Sequence, residues 1–149
     1  MKIRPARPAD LPALIEMLWA DPQGRLREDC TATGRAKYQA AFDAIKADPN
    51  AHLFVMTRAE EVIGCAQINI LAGLSYSGTT RGLIEDVRVR EDERGQGHGR
   101  RLLEHLCNFA TAQGCGLVEL FVHQDRDRAH YFYRELGFTQ SHFGFRRTL

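Results

Sequence analysis

The sequence predicts a mixed α/β domain in which helices cover both faces of a central, mostly antiparallel sheet. Three observations favour this fold class. Strand-like and helix-like segments alternate along the chain, two of the strands are joined by a short polar turn, and the helices carry apolar stripes. The 149 residues fit one domain, residues 1–149, which is large enough for a substantial core.

The first elements follow from hydrophobic spacing. Residues 2–6 predict a short strand, and Pro8 is typical of the first turn of a helix. Two apolar stripes at helical spacing then predict two helices, one with Leu11, Leu14, Ile15 and Leu18, and one with Tyr38, Ala41, Phe42 and Ile45. The polar segment 20–34 joins them, and a connection of this length is more often functional than idle. The alternative is a flexible connector without a function.

The remaining elements follow in order along the chain. The pattern predicts a hairpin of strands at 52–57 and 62–70, followed by a central strand at 83–89, a helix at 100–112 and a strand at 117–122. A last helix is expected to be capped by Asp125, Asp127 or both and to end at Gly137. One or two closing strands are expected within 138–147. The helix at 100–112 is expected to end before Gly114.

The composition of the chain limits the classes of function that the protein could have. The net charge of +1 gives no support for a broad nucleic-acid or membrane footprint, and no apolar stretch approaches the length of a membrane span. The four cysteines show no C-x-x-C spacing, so we expect buried free thiols rather than disulfides or a metal site. No pair of histidines has a short ligand spacing, so we expect no bound metal. These observations favour a cytoplasmic protein.

A glycine-rich turn is the main functional signal. Residues Arg94-Gly95-Gln96-Gly97-His98-Gly99 lie between the predicted central strand and the helix that begins near Arg100. Glycines let backbone approach a ligand closely, and the first turn of a helix offers unpaired N–H groups to an anion. Arg94, Arg100 and Arg101 add positive charge. The pattern predicts a site for a diphosphate.

The turn differs from other phosphate-binding motifs. It lacks the Gly-Lys-Ser/Thr of a Walker loop, and its glycines are spaced Gly-x-Gly-x-Gly rather than Gly-x-Gly-x-x-Gly. The pattern Arg94-x-x-Gly97-x-Gly99 after Val87-Arg88-Val89 resembles the acyl-CoA-binding signature of the GCN5-related N-acetyltransferases (GNAT family). The block from Ala129 to Phe138, which ends in Gly-Phe, resembles the C-terminal helix of that family.

The resemblance implies a GNAT-type fold and an activity. It implies transfer of acetyl from acetyl-CoA, the co-substrate, to a primary amine of a small molecule, by direct attack in a ternary complex. It also implies a strand at 87–89 that splays from its neighbour and offers main-chain groups to the pantetheine arm and the acetyl carbonyl. The residues expected to contact acetyl-CoA are Val87, Arg88, Val89, Arg94, Gly95, Gln96, Gly97, His98, Gly99 and Arg100.

One position departs from the family pattern. Many members carry an asparagine three residues before the helix alanine, and here that residue is Arg126. Arg126 could contact a phosphate of the co-substrate or be solvated. Pairing of two copies through C-terminal strands is common among relatives, so the resemblance also suggests a homodimer.

Tyr133 is the candidate general acid. The resemblance places it near the sulfur of coenzyme A, and a phenol has a pKa of about 10, which suits protonation of a thiolate. The alternative is a tyrosine buried for structural reasons. Tyr131 is a weaker candidate because it falls on a different side of the predicted helix.

Glu85 is the candidate general base. Strict alternation would place it on one face of its strand with Leu83, Val87 and Val89, an unusual environment for a carboxylate. Such a carboxylate could accept the proton of the amine, directly or through water. The alternatives are that Glu85 pairs with Arg81 or binds the ammonium of the substrate electrostatically. Asp86, on the opposite face, ranks second.

Two other functions remain open at this point. One is acetylation of a protein N-terminus or lysine, which would need an open groove where the segment 20–34 lies. The other is a non-catalytic sensor that binds an acyl-CoA. Tyr133 and Glu85 favour an enzyme over a sensor, although both residues could be structural.

Overall fold

The structure, a computed structural model, describes residues 1–21 and 24–149. Pro22 and Gln23, which belong to the polar segment predicted at 20–34, lie outside the described residues. The chain comprises two compact units, Met1–Glu119 and Leu120–Leu149. The first unit contains the glycine-rich turn and Glu85, and the second contains Arg126 and Tyr133.

A five-stranded sheet forms the centre of the fold. Its strands are β1 (Lys2–Pro5), β2 (Ala51–Arg58), β3 (Glu61–Leu71), β4 (Arg81–Val89) and β5 (Leu117–Leu120), and they lie side by side in this order. The pairs β1–β2, β2–β3 and β3–β4 are antiparallel, as predicted. Ala59 and Glu60 form the tight turn between β2 and β3, with φ of 45° and 67°. Both values suit a two-residue hairpin loop.

In the described residues, α-helical segments accompany the sheet. They are α1 (Leu11–Ala20), which follows a short 3₁₀ turn, α2 (Ala32–Ala47), the single turn α3 (Ser75–Gly78), α4 (His98–Ala112) and α5 (Asp127–Glu135). In α3 the backbone is left-handed rather than α-helical at Tyr76 and Ser77, with φ of 54° and 58°. Helix α2 begins inside the segment predicted to be irregular, because the Thr31 side chain accepts a hydrogen bond from the backbone N–H of Gly34 and caps the helix. No helix in the described residues is long and apolar enough to cross a membrane.

Helices pack on both faces of the sheet, as the sequence predicted. On one face Leu14 and Met17 of α1 and Phe42 of α2 form a cluster with buried side chains of β2 and β3, namely Val55, Val62 and Cys65. On the other face Leu102 of α4 approaches Gly64, and Ala110 of α4 approaches Gly82. Burial of these apolar side chains from water is the main favourable contribution to folding.

Two predictions about the C-terminal unit were wrong. Residues 138–149 contain no strand, although one or two strands were expected there. Strand propensity is realised only beside a hydrogen-bonding neighbour, and Phe143 and Phe145 remain exposed. The N-cap of α5 is Arg126, so neither Asp125 nor Asp127 caps the helix with its side chain. Gly137 follows the helix with a φ of 85°, the terminating role predicted for it.

Candidate active site

The turn between β4 and α4 leaves its backbone open. Gly95 and Gly97 adopt φ of 76° and 79°, and a Cβ placed on either glycine would meet no atom within 4 Å. Gly97 is the N-cap of α4, and no side chain caps that helix. The N–H groups of the first helical turn are therefore available to a ligand, and the helix dipole favours an anion there. This geometry fits a phosphate or diphosphate.

Charge around the turn supports an anion site. Arg94 and Arg100 are exposed beside the glycines. The acidic residues that precede the turn are balanced locally, since Asp92 accepts a hydrogen bond of 2.7 Å from Nε of Arg90. Gln96 donates to the carbonyl of Asp92 at 3.4 Å, which closes the turn on itself.

A polar cluster, formed by the buried side chains of Glu93 and His98 and by Arg58, stabilises the turn. Glu93 and His98, one on each side of the glycines, are 5% and 3% exposed. Oε1 of Glu93 accepts a hydrogen bond of 2.7 Å from Arg58 of β2, and Oε2 lies 3.3 Å from Nε2 of His98. The His98 side chain therefore belongs to this polar cluster. Gly99, the second residue of α4, is half-buried.

Arg94 links the turn to the end of β4. Its Nε donates a hydrogen bond of 3.2 Å to the carbonyl of Val89. The segments 87–89 and 94–100, predicted separately to contact acetyl-CoA, are thus brought together within the first unit. A ligand held at the turn would have the end of β4 beside it.

A bulge interrupts β4 just before this end. The register between β3 and β4 pairs Gln67 with Glu85 and Cys65 with Arg88, so that Ala66 stands opposite two residues, Asp86 and Val87. Asp86 adopts a φ of 50°, a left-handed conformation that is uncommon for a residue other than glycine. An extra residue of this kind bends a strand and disrupts its ladder locally. Arg88 and Val89 still pair with β3, and the splay expected at 87–89 stays a prediction.

Cys65 supports the bulge. Its Sγ donates to the carbonyl of Asp86 at 3.6 Å, and burial raises the pKa of this thiol to about 12, with the positive charge of Arg88 opposing the rise. The thiol therefore stays protonated at neutral pH and keeps its weak donor. Cys65 is buried and all four cysteines are free, as expected, although Cys30 is exposed and Cys107 and Cys115 are only half-buried.

The bulge corrects the predicted environment of Glu85. Because one extra residue shifts the alternation, Val89 pairs with Gly64 on the α4 face, whereas Glu85 lies with Gln67 on the opposite face. Glu85 is exposed rather than buried, and its Oε2 accepts a hydrogen bond of 2.8 Å from Nδ2 of Asn69.

The arginines of β4 pair with carboxylates other than Glu85. Arg81 forms an ion pair of 2.7 Å with Glu119 of β5, so the alternative in which it pairs with Glu85 was wrong. Arg88 shares the face of Glu85 and lies 3.1 Å from Asp21 and 3.7 Å from Asp86. Arg88 therefore ties the end of α1 to the strand just after the bulge.

Hydrogen bonds also hold the described part of the segment between α1 and α2 in place. The hydroxyl of Tyr38 donates to Glu28 at 2.6 Å and accepts from the backbone N–H of Asp29 at 3.2 Å. Burial would raise the pKa of Glu28, but hydrogen bonds from Tyr38 and Arg27 outweigh it and lower the value. The carboxylate thus stays charged and holds residues 28 and 29 against α2.

The C-terminal unit holds the other candidate residues. The Tyr133 ring is half-buried and packs edge-on to Phe138, with ring centres 5.9 Å apart. Burial raises the pKa of the Tyr133 phenol, while Arg126 opposes the rise, so the hydroxyl carries its proton at neutral pH. The backbone carbonyl of Arg126 accepts from the N–H groups of Ala129 and His130 at the start of α5. Tyr131 is exposed.

Sequence reasoning missed several residues of the site. Glu93 and Arg58 support the turn, and Asn69 and Gln67 accompany Glu85. One signal was available: Gln67 and Asn69 are two amides at alternate positions in an otherwise apolar strand. Arg58 and Glu93 are 35 residues apart, and no local pattern joins them. In the described residues, no three His, Cys, Asp or Glu side chains are grouped as metal ligands would be.

Comparison with known proteins agrees with this geometry. The model of the acetyltransferase (GNAT) family matches residues 11–138. The chain is 35% identical over 115 residues to an aminoalkylphosphonate N-acetyltransferase of Salmonella typhimurium, which covers 75% of this chain and 74% of the relative. It is 28% identical over 138 residues to a glucosamine 6-phosphate N-acetyltransferase of Trypanosoma brucei brucei, covering 93% and 88%.

A solved structure shows the same fold over the whole chain. A protein of Bacillus halodurans C-125, described as a transcriptional regulator, superposes with a TM-score of 0.96 at 36% identity and covers 99% of both chains. The fold, the family match and the relatives named for acetyl transfer agree with the open turn and the bulged strand. The chain therefore belongs to the GNAT family and is an acetyl-CoA-dependent N-acetyltransferase.

Proposed function

We propose that the chain transfers the acetyl group of acetyl-CoA to the primary amine of a small molecule, by direct attack in a ternary complex. The observation that carries this proposal is the connection of the two features of β4. Val89 at its end is bonded to Arg94 of the open turn, and Glu85 lies one residue before the bulge. The diphosphate of acetyl-CoA would occupy the turn and its pantetheine arm would follow β4.

The proposed reaction uses two side chains, Glu85 and Tyr133, and main-chain N–H groups of β4. The acceptor ammonium gives one proton to Glu85, directly or through water, and the nitrogen lone pair attacks the thioester carbonyl carbon. Main-chain N–H groups beside the bulge stabilise the negative charge that develops on the carbonyl oxygen. The C–S bond then breaks, the thiolate takes the proton of the Tyr133 hydroxyl, and the new amide nitrogen loses its extra proton to regenerate the phenol through solvent. Because burial raises the pKa of Tyr133, its hydroxyl carries a proton at neutral pH and is available as a donor.

The acceptor is proposed to be a small amine that carries an anionic group. The relatives named above act on an aminoalkylphosphonate and on glucosamine 6-phosphate, both of which combine an amine with a phosphorus oxyanion. Acetylation of a protein N-terminus or lysine is the alternative, and it predicts activity on peptides instead.

A panel of amines tests the proposal. Release of free thiol from acetyl-CoA is followed with 2-aminoethylphosphonate, glucosamine 6-phosphate, simple alkylamines and peptides with free N-termini or lysines. With the best acceptor, Glu85→Gln is expected to lower kcat by about 100-fold and Tyr133→Phe by about tenfold or more, because each removes one proton-transfer group. Affinity for coenzyme A, measured by calorimetry, should not change.

Two outcomes would contradict the proposal. Turnover of none of these amines, with measurable binding of coenzyme A, would favour the non-catalytic sensor. Wild-type turnover by Glu85→Gln would remove Glu85 from the mechanism while leaving the transfer reaction itself intact.

A further inference from the structure

We infer that Asn69 is a positioning residue, which holds one oxygen of Glu85 so that the other is free to take the proton of the amine. This inference rests on the proposed role of Glu85 as the base. It assigns a task to two polar side chains of β3, Asn69 and Gln67, that the proposed reaction does not otherwise use.

The register of the sheet places these side chains together. Gln67 pairs directly with Glu85, and Asn69 pairs with Leu83, so all four point to the same face. Asn69 is thus the diagonal neighbour of Glu85, a separation that long side chains can bridge. Nδ2 of Asn69 donates to Oε2 of Glu85 at 2.8 Å.

A second hydrogen bond orients the amide of Asn69. Nε2 of Gln67 donates to Oδ1 of Asn69 at 3.1 Å, which leaves the NH₂ group of Asn69 directed at Glu85. Rotation of the Asn69 amide by half a turn would bring two oxygens together and two NH₂ groups together, so the chain of bonds has one favourable direction. The carboxylate of Glu85 can only accept, so it requires the NH₂ group of Asn69, and the hydrogen bond from Gln67 to the remaining oxygen of Asn69 reinforces this orientation.

This arrangement gives the two carboxylate oxygens of Glu85 different hydrogen-bond partners. Oε2 is engaged by Asn69, whereas no residue in the described ranges 1–21 and 24–149 donates a hydrogen bond to Oε1. Oε1 is therefore the atom assigned to receive the proton. An exposed glutamate without such a partner would sample several rotamers, and a catalytic group that is not oriented loses much of its effect.

A purely structural role explains these residues poorly. Asparagine is disfavoured in strands, and β3 is otherwise apolar from Val62 to Ala66 and again at Ile68 and Ile70. The two amides are half-buried and lie at the level of Glu85, one residue before the bulge.

The test uses the full chain, acetyl-CoA and 2-aminoethylphosphonate, or another amine that the wild type acetylates. Asn69→Asp keeps the size of the side chain but removes its donor, and we expect kcat to fall about tenfold while KM for acetyl-CoA is unchanged. Asn69→Gln keeps a donor and should retain activity within about threefold. Gln67→Leu, which leaves Asn69 and Glu85 intact, should lower kcat by a smaller factor than Asn69→Asp.

The double variant separates positioning from a loss of fold. In a Glu85→Gln background, Asn69→Asp should cause no further loss, because the group that it orients has been removed. Asn108→Asp is the matched control, since Asn108 is exposed on α4 at the other face of the sheet, and it should behave as the wild type. Thermal unfolding of every variant reports whether the fold is intact.

Two results would overturn the inference: activity of Asn69→Asp within twofold of the wild type, or an equal loss in both backgrounds. A wild-type rate for Glu85→Gln would instead remove Glu85 as the base, which is a failure of the proposed mechanism and is distinguishable from a failure at Asn69.

Discussion

The turn before α4 and the bulge in β4 both present irregular backbone to a ligand, but the chain encodes them differently. In the turn, positive φ values fall on Gly95 and Gly97, which adopt them without a steric penalty. In the bulge, the positive φ falls on Asp86, which has a side chain and adopts this conformation less readily. Residues within the turn therefore determine its conformation, whereas the pairing of β4 with β3 determines the conformation of the bulge.

This difference predicts opposite responses to glycine and non-glycine substitutions. In the turn, any side chain adds strain and also covers the open N–H groups. In the bulge, glycine should be tolerated and a branched side chain should not. The first two of the three predictions that follow test this contrast, and the third tests the polar cluster under the turn; they are given in order of decreasing effect.

The largest effect is expected from Gly97→Ala. The new methyl group would occupy the space that a diphosphate needs, so we expect affinity for coenzyme A to fall about tenfold or more, measured by calorimetry. The matched control is Gly114→Ala, at the other end of the same helix. Gly114 has a φ of 78° and similar open space around its Cβ position, so it carries the same backbone strain without the ligand.

Both alanine variants should lose about 1–2 kcal/mol of unfolding free energy, because a left-handed backbone disfavours a Cβ. An equal loss of affinity in the two variants would mean that strain, rather than access to the helix N-terminus, explains the effect. That result would argue against the turn as the diphosphate site.

The second prediction concerns Asp86. Replacement by valine should destabilise the protein by about 1–3 kcal/mol, because a β-branched residue is strongly disfavoured at positive φ. Replacement by glycine should leave the unfolding free energy unchanged or slightly higher. Chemical denaturation of the two variants measures the difference. Equal stability of Asp86→Val and Asp86→Gly would mean that the strand does not keep this conformation in solution.

The smallest effect is expected for the polar cluster under the turn. Arg58→Met removes the cation that bonds to buried Glu93 at 2.7 Å, and we expect a loss of about 1 kcal/mol. We expect this loss of unfolding free energy to be small because the Arg58 side chain is 45% exposed and because Arg90 and His98 also lie near the carboxylate of Glu93. Arg27→Met, which removes a 51% exposed arginine from its ion pair with Glu28, serves as the control for thermal unfolding. A larger loss for Arg27→Met would show that the cluster contributes little to the turn.

Much of the fold could be read from residue patterns. The stripe at Leu14 and the stripe at Phe42 predicted helices that pack on the sheet, and the polar residues at 58–61 predicted the hairpin. The end of α4 before Gly114 was also predicted correctly, because glycine with a φ of 78° terminates a helix for local reasons. These signals involve neighbours within a few residues along the chain.

Predictions failed where distant residues decide the outcome. Strict alternation put Glu85 with Val87 and Val89 on one face, but the bulge against Ala66 moved it to the other. The C-terminal residues 138–149 have strand-forming side chains and no strand. The interior position of the His98 ring also depends on distant residues, since the ring lies beside Glu93 and Arg58, while contact of residue 98 with acetyl-CoA stays a prediction.

The sequence by itself determined the glycine-rich turn, the helix that follows it and the succession of strands around them, because glycine conformation, capping and hydrophobic period act over a few residues. Only the tertiary structure decided where β4 bulges, that Glu85 is exposed, and which of its oxygens Asn69 engages. The reason is that strand register depends on hydrogen bonds between chain segments that are far apart in sequence, and a shift of one residue moves a side chain to the opposite face of the sheet.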